Sequence, residues 1–404
     1  MAGSRPAAFG FILATIFLEA LSFGLIFPVL PRLVLEVSGG DTAASARAFG
    51  IMAAVWALAN FFAAPVLGAL SDRYGRRPVL VGSAFGFAVD LVVMAIAPSV
   101  AWLIIGRMIS GVTAGNYAAA SAYIADVTEP DRRAARFGIF AAVYGAGMVL
   151  GPAVGGLLGQ ISPRAPFWVA AAVAGTMSLY GFFVLPESLP PEKRGQVRAL
   201  NPFAPFVMLV RPGMPKLATI AGLLAVAGTA ANTLFVLYVD HRYSWGPVET
   251  GLLLTGFSAG NILVMGVIAP VLLKRLPERV LLLGGMVLIT TGFAGFALAS
   301  TPLLFCLACI PACLGNLCAP PLRAMQTRLV ADTEQGRLQG ALGGLNALAA
   351  LVGPLAFTQI FAWTVSTSGS NAQSGLALLT GAAILLVATV LAATTRPAVS
   401  KASP

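Results

Sequence analysis

Twelve apolar runs, each about as long as a bilayer is thick, divide this chain. They fall at Phe9 to Pro31, Phe49 to Leu70, Val79 to Ala97, Val100 to Ile124, Phe137 to Ile161, Phe167 to Leu185, Leu217 to Val239, Gly251 to Leu273, Val280 to Ala299, Leu303 to Met325, Leu338 to Val365 and Leu376 to Ala393. A spanning helix needs ~20 such residues at ~1.5 Å rise each. In hydrocarbon, every backbone N–H and C=O must find its partner within the segment, so runs of this length form helices. The expected fold is therefore an all-α membrane protein with twelve transmembrane helices. Only 10% of the 404 residues are charged and mean hydropathy is +0.88, against roughly 25% charged residues in soluble domains. The first run follows Arg5 but is too long for the apolar core of a signal peptide, and it reads as span one.

A polar, proline-rich, basic stretch from Pro186 to Lys216 separates the runs into two sets of six. The expected domains are residues 1–186, a cytoplasmic linker over 187–216, and residues 217–404. The halves repeat. Ile124-Ala-Asp126-Val-Thr-Glu129 leads to Gly151-Pro152, and half a chain later Val330-Ala-Asp332-Thr-Glu334 leads to Gly353-Pro354. Such repeats fit two pseudo-symmetric six-helix bundles related about an axis along the membrane normal.

The net charge of +10 does not imply nucleic acid, because the basic residues fall between apolar runs rather than on one stripe. Of the 25 Lys and Arg, 20 lie at the termini or in alternate loops; the opposite loops hold Arg32, Arg47, Arg164 and Arg242, and Arg107 is inside a span. The positive-inside rule places both termini in the cytoplasm. Cys306, Cys309, Cys313 and Cys318 share one apolar run, far from the single histidine, His241, and read as small apolar residues rather than metal ligands. No G-x-x-x-x-G-K-[ST] occurs, so the chain has no P-loop of its own, and Gly145-Ala-Gly147 lacks the third glycine of a dinucleotide fingerprint.

Charge inside a membrane is expensive and marks function by default. Glu19 lies mid-span one, with Thr15 and Ser22 on its face; Asp90 in span three and Arg107 in span four lie at one depth on adjacent antiparallel helices. An Asp90–Arg107 contact is geometrically allowed, and it serves either as a structural pair or as a fixed charge. A lone buried carboxylate favours its protonated form, whereas an arginine neighbour favours the ionised one. Glu19 is thus the better proton carrier and Asp90 the better cation-binding charge. Asn232, Tyr238, Asn261, Asn316, Gln326, Asn346 and Gln359 add scattered polar groups in the second half, suited to helix–helix hydrogen bonds or to a cavity lining.

Two further patterns suggest moving parts. Gly68-Ala-Leu-Ser-Asp72-Arg73-Tyr-Gly75-Arg76-Arg77 is a basic cytoplasmic loop with one acid, whose glycines allow close approach and unusual dihedrals. Asp126, Glu129 or the start of span eleven are its expected partners. Its counterpart in the second half, Gly266 to Arg279, has no aspartate. In span five, Gly147, Gly151, Gly155 and Gly159 share a face beside Pro152, which reads as tight packing or as a pivot.

These residues resemble the major facilitator superfamily, and within it the twelve-span drug:proton antiporters that include the tetracycline efflux permeases. The resemblance rests on Leu18-Glu19-Ala20 through Gly24-Leu-Ile-Phe-Pro28-Val-Leu-Pro31, Gly68 to Pro78, Asp90, Gly106-Arg107-x-x-Ser110-Gly111, Gly147 to Gly156, Asp240-His-Arg242-Tyr-Ser-Trp245 and Gln335-Gly336-Arg-Leu-Gln339-Gly340. It implies drug export from the cytoplasm across the inner membrane, by a monomer, with H+ as coupling ion and Mg2+ carried with a tetracycline-type substrate. It assigns Glu19, Asp90 and Arg107 to coupling and substrate. Gly68, Asp72, Arg73, Gly75, Arg76, Arg77, Gly147, Gly151, Pro152 and Gly155 fall to the gate. The chain departs from the family in span nine, where Val280 to Ala299 lacks the usual acid, and in the extra methylene of Glu19. Another drug, a metabolite, a lipid or a sugar would suit the same scaffold. A membrane enzyme or a channel is the rival from another class, and no His/Cys/Glu cluster supports an enzyme.

Overall fold

A computed structural model describes residues 5–195, 203–368 and 374–395; the basic residues Arg198, Arg396 and Lys401 lie outside them. The described residues are helical almost throughout. In order they form α1 (Arg5–Ile26), α2 (Leu30–Val37), α3 (Thr42–Tyr74), α4 (Arg76–Ile96), α5 (Val100–Thr113), α6 (Asn116–Val127), α7 (Pro130–Ile161), α8 (Ala165–Val184), α9 (Met214–Tyr243), α10 (Pro247–Leu263), α11 (Ala269–Arg275), α12 (Glu278–Leu298), α13 (Pro302–Gly315), α14 (Ala319–Thr327), α15 (Gln335–Ser368) and α16 (Leu376–Ala393). A π-helical turn, Val264–Ile268, joins α10 to α11 in span eight. Among the described residues, eleven helical segments are long and apolar enough to cross a membrane. The remaining span, four, is α5 and α6, broken at Ala114–Gly115. There the Gly115 N–H turns back to the Thr113 carbonyl at 2.7 Å, and a Cβ on Gly115 would stand 2.8 Å from Leu67.

Contacts divide the chain into two compact units, Met1–Pro202 with Ser244–Gly256, and Phe203–Tyr243 with Phe257–Pro404. In the first unit α1 packs along α7, α4 lies between α8 and α5, and α3 packs on α5. The second unit repeats these pairings: α9 packs on α15, and α12 lies between α16 and α13. The repeated sequence pattern thus reappears as repeated packing. The α1–α7 seam is close because its glycines are small. A Cβ on Gly147 would lie 2.6 Å from the Phe17 carbonyl oxygen, one on Gly151 2.6 Å from Gly24 Cα, and one on Gly155 2.2 Å from the Leu25 oxygen. Small residues at such a seam let backbones approach where lipid supplies no hydrophobic drive for association.

The segment from Gly68 to Arg77 is helix rather than loop for most of its length. α3 continues to Tyr74, and the turn is made at Gly75 alone, with φ of 107°. Gly68 sits in α3 with open space where its Cβ would be, so it makes no close approach. The linker stretch Ala204–Val210 is a 3-10 helix packed on α15. Phe206 sits against Gly344, where a Cβ would be 2.6 Å from its ring. Arg211 fastens this stretch with two bonds to Glu334, of 2.5 and 2.7 Å.

Candidate functional site

In the first unit, α4 and α5 bring Asp90 and Arg107 together. Asp90 is 0% exposed and Arg107 7%. One guanidinium nitrogen of Arg107 donates to Asp90 Oδ2 at 2.6 Å and lies 3.1 Å from Met94 Sδ. The approach depends on Gly106, since a Cβ there would stand 2.7 Å from Asp90 Oδ1 and 2.9 Å from the Met94 side chain. Leu91, Met94, Ala95 and Leu103 surround the pair with apolar core. Breaking such a pair by removing one partner leaves an uncompensated charge in low dielectric, at a cost of roughly 3–5 kcal/mol.

Glu19 projects from α1 with its Oε2 shielded from solvent. Tyr144 of α7 lies within its electrostatic reach. Tyr144 meets Tyr117 edge-on with ring centroids 5.2 Å apart, and Tyr117 packs on Phe140 at 5.0 Å. Tyr144, the neighbour of the carboxyl, is thus part of an aromatic cluster with Tyr117 and Phe140. Of the polar stripe expected with Glu19, Thr15 bonds its own helix at the Phe11 carbonyl, 3.0 Å away, and Ser22 is fully buried.

The end of the first unit where α3 turns into α4 holds a charge network. Asp72 Oδ1 accepts from Arg76 at 2.6 Å, and Arg76 Nε reaches Asp126 Oδ2 at 3.2 Å. Ser188 also donates to Asp126 Oδ2, at 3.2 Å. Of the expected partners, Asp126 joins the network through Arg76, whereas Glu129 pairs with exposed Arg132 at 3.9 Å.

Sequence reasoning passed over two residues that hold α4 in place. The Glu187 carboxylate accepts the backbone N–H groups of Arg76 at 2.8 Å and Arg77 at 3.2 Å, the first turn of α4. At the other end, Arg164 donates to the carbonyls of Ala95 at 2.8 Å and Ala97 at 3.0 Å, and pairs with Glu36 at 3.2 Å. Glu187 and Arg164 flank α8, which runs antiparallel to α4. Helix ends leave unpaired N–H and C=O groups with opposite partial charges, so an acid at the start and a base at the end both stabilise the helix. The available signal was charge sign: an acid just after span six and a base just before it.

In the second unit, Asn316 donates to Asn261 Oδ1 at 2.5 Å, and Asn261 donates to the Phe257 carbonyl at 2.9 Å, beside the π-helical turn. Gln326 donates to the Leu217 carbonyl at 3.2 Å. Three of the scattered polar groups are thus engaged in hydrogen bonds. Among the described residues no three His, Cys, Asp or Glu side chains converge on a common point.

Repeated six-span packing, a buried acid–guanidinium pair and a charged α3–α4 turn define a multi-pass helical membrane transporter. The chain belongs to the Major Facilitator Superfamily, whose signature matches residues 12–354 and 217–404. It is 38% identical over 385 residues to the class C tetracycline resistance protein of Escherichia coli, covering 93% of this chain and 94% of that one. It is 37% identical to the class G tetracycline resistance protein of Vibrio anguillarum, covering 92% and 93%. The crystal structure of the nucleoside transporter NupG superposes with a TM-score of 0.79 at 15% identity, covering 96% of this chain and all of that one, a likeness of fold.

Proposed function

We propose that this transporter exports tetracycline-type antibiotics from the cytoplasm in exchange for protons. The observation that carries the reading is the 38% identity, end to end, with a tetracycline resistance protein, in a chain that also buries the Asp90–Arg107 pair and shields one carboxyl oxygen of Glu19 in its first unit. In this reading the chain sits in the cytoplasmic membrane as a monomer with both termini inside, and residues 1–186 and 217–404 move as two bodies about the 187–216 linker. Glu19 carries the proton. Its carboxyl lies near Tyr144, whose phenol can exchange hydrogen bonds with either protonation state. Asp90 stays charged against Arg107 and holds the local field fixed. A cationic drug, or a drug carried as its Mg2+ chelate, competes with the proton for negative charge in this unit. A carboxylate that cannot hold both at once enforces exchange. Span nine offers no acid, so coupling runs through the first unit.

The test is transport of tetracycline into inverted membrane vesicles made acid inside, with and without Mg2+ and a protonophore. Accumulation that collapses with the protonophore supports proton-coupled export, and dependence on Mg2+ supports the chelate as cargo. Glu19→Gln should abolish the pH dependence. Unchanged pH dependence in that variant removes Glu19 as the carrier, and no movement of tetracycline by folded protein removes the substrate.

A further inference from the structure

We propose that the groove between α4 and α8 binds one membrane phospholipid, its acyl chain lying along the groove and its phosphate on Arg77. This rests on the membrane-spanning fold and not on the identity of the cargo.

The groove encloses about 1090 Å³ and runs from Arg77 to Val93 on α4 and from Ala171 to Phe182 on α8. At ~1.5 Å per residue, its α4 wall is about 24 Å long, more than the ~15 Å of hydrocarbon in one leaflet. Phe85, Val92, Leu179 and Phe182 are exposed along it. Only Arg77 and Ser178 bring polar side chains to the lining, and the Ser178 hydroxyl is bonded to the Val81 carbonyl at 3.1 Å. A spanning surface that offers water no free partner faces lipid, so the medium itself supplies the occupant. The floor is hollowed by two glycines: a Cβ on Gly82 would meet nothing within 4 Å, and one on Gly175 only the Ala88 methyl at 3.9 Å. No internal packing explains either glycine.

The charge sits at one end. Arg77 lies in the first turn of α4, next to the basic inner turn, which is the level of the cytoplasmic headgroups. One nitrogen of its guanidinium donates to the Phe182 carbonyl, and the Phe182 ring centroid lies 5.9 Å away. The guanidinium is therefore held at the groove mouth. It enters no ion pair among the described residues, whereas its neighbour Arg76 is matched by Asp72 and Asp126. The nearby Glu187 carboxylate is engaged with backbone N–H groups. A guanidinium has five N–H donors, so donors remain for a phosphate, whose geometry it matches.

The test uses the full-length protein in detergent and native mass spectrometry, with phosphatidylglycerol and with diacylglycerol of the same chains. The wild type should retain one phosphatidylglycerol through detergent exchange and hold it more tightly than diacylglycerol. Gly82→Phe with Gly175→Leu fills the groove from positions that have room, so the variant should fold and lose the retained lipid. Arg77→Gln should keep acyl binding but cut the phospholipid preference by roughly fivefold, the contribution of one basic residue at an anionic lipid surface. Equal lipid retention by wild type and filled variant overturns the proposal. So does a dimer that is lost on filling, which would make a second copy the occupant. Equal affinity of wild type for the two lipids overturns the role of Arg77.

Discussion

Glu187 and Gly75 should be energetically coupled, because the carboxylate occupies the space a Cβ at position 75 would need. Gly75 has φ of 107° and ψ of 165°, a region that costs a residue with a Cβ about 1–3 kcal/mol. That Cβ would also lie 2.1 Å from Glu187 Oε2, so Gly75→Ala must push the carboxylate off the α4 N-terminus. Glu187→Ala removes the same cap directly. A lost N-cap costs roughly 1–2 kcal/mol and the dipole interaction 0.3–1 more, or about 2 kcal/mol together. Gly75→Ala loses that and adds strain, for about 4 kcal/mol. The double variant loses the cap once and keeps the strain, so it too should stand at about 4 kcal/mol rather than the roughly 6 of independent sites. The expected coupling is about 2 kcal/mol, near thirtyfold in the unfolding equilibrium. Equilibrium unfolding in mixed dodecylmaltoside–SDS micelles, followed by tryptophan fluorescence, measures all four proteins. Additivity within ~0.5 kcal/mol would refute the shared cap.

Other outcomes are expected of the same molecule. Arg107→Gln should cost ~3–5 kcal/mol by leaving Asp90 unpaired, and Asp90→Asn with Arg107→Gln should recover most of the folded yield on size exclusion without restoring transport; a double variant as poorly folded as the single one counts against the pair. Gly138→Ala and Gly151→Ala, both in α7, should shift stability in opposite directions. The first has open space and gains up to ~1 kcal/mol of helix propensity, while the second drives a Cβ to 2.6 Å from Gly24 Cα and loses ~1–3 kcal/mol by overpacking. Arg211 holds the Glu334 carboxyl below its ordinary value. A depressed pKa gives stability that is present above the unfolded value of 4.5 and disappears as pH falls through the folded one. Amide protection factors of residues 204–211, which already allow for the pH dependence of intrinsic exchange, should therefore be level from pH 8 to pH 5 and fall only below 4.5, with Glu334→Gln lowering them above that pH and making no difference well below it.

The spans were legible because lipid selects on composition, and composition survives without an alignment. Their edges were less so. α3 begins at Thr42, because Asp41 accepts the N–H groups of Ala43 and Ala44, and a search for apolar runs starts late where Ser45 and Arg47 still belong to the helix. The break in span four was hidden because Thr113-Ala-Gly-Asn116 contains no proline, and a glycine in a membrane helix does not announce a turn. The Asp90–Arg107 contact could be read from depth alone, since two antiparallel neighbours of known length fix the level of each residue. Glu187 and Arg164 could not be read that way. Each acts on a helix about 70 to 110 positions away in sequence, and that neighbourhood exists only once α4 and α8 have paired.

The bracketing of α4 by the two flanks of α8 restricts how span three can move. α4 has 21 residues and α8 has 20, each close to 30 Å at ~1.5 Å per residue. Sliding one along the other by a single residue would pull either Glu187 or Arg164 off its helix end. The two helices thus form a strut of fixed length, nearly matched to the hydrocarbon thickness. Asp90 rides on that strut and the Asp72–Arg76 turn forms its foot. A displacement of that charged turn therefore reaches the buried ion pair as rotation or tilt of the whole strut, without axial slip to absorb it.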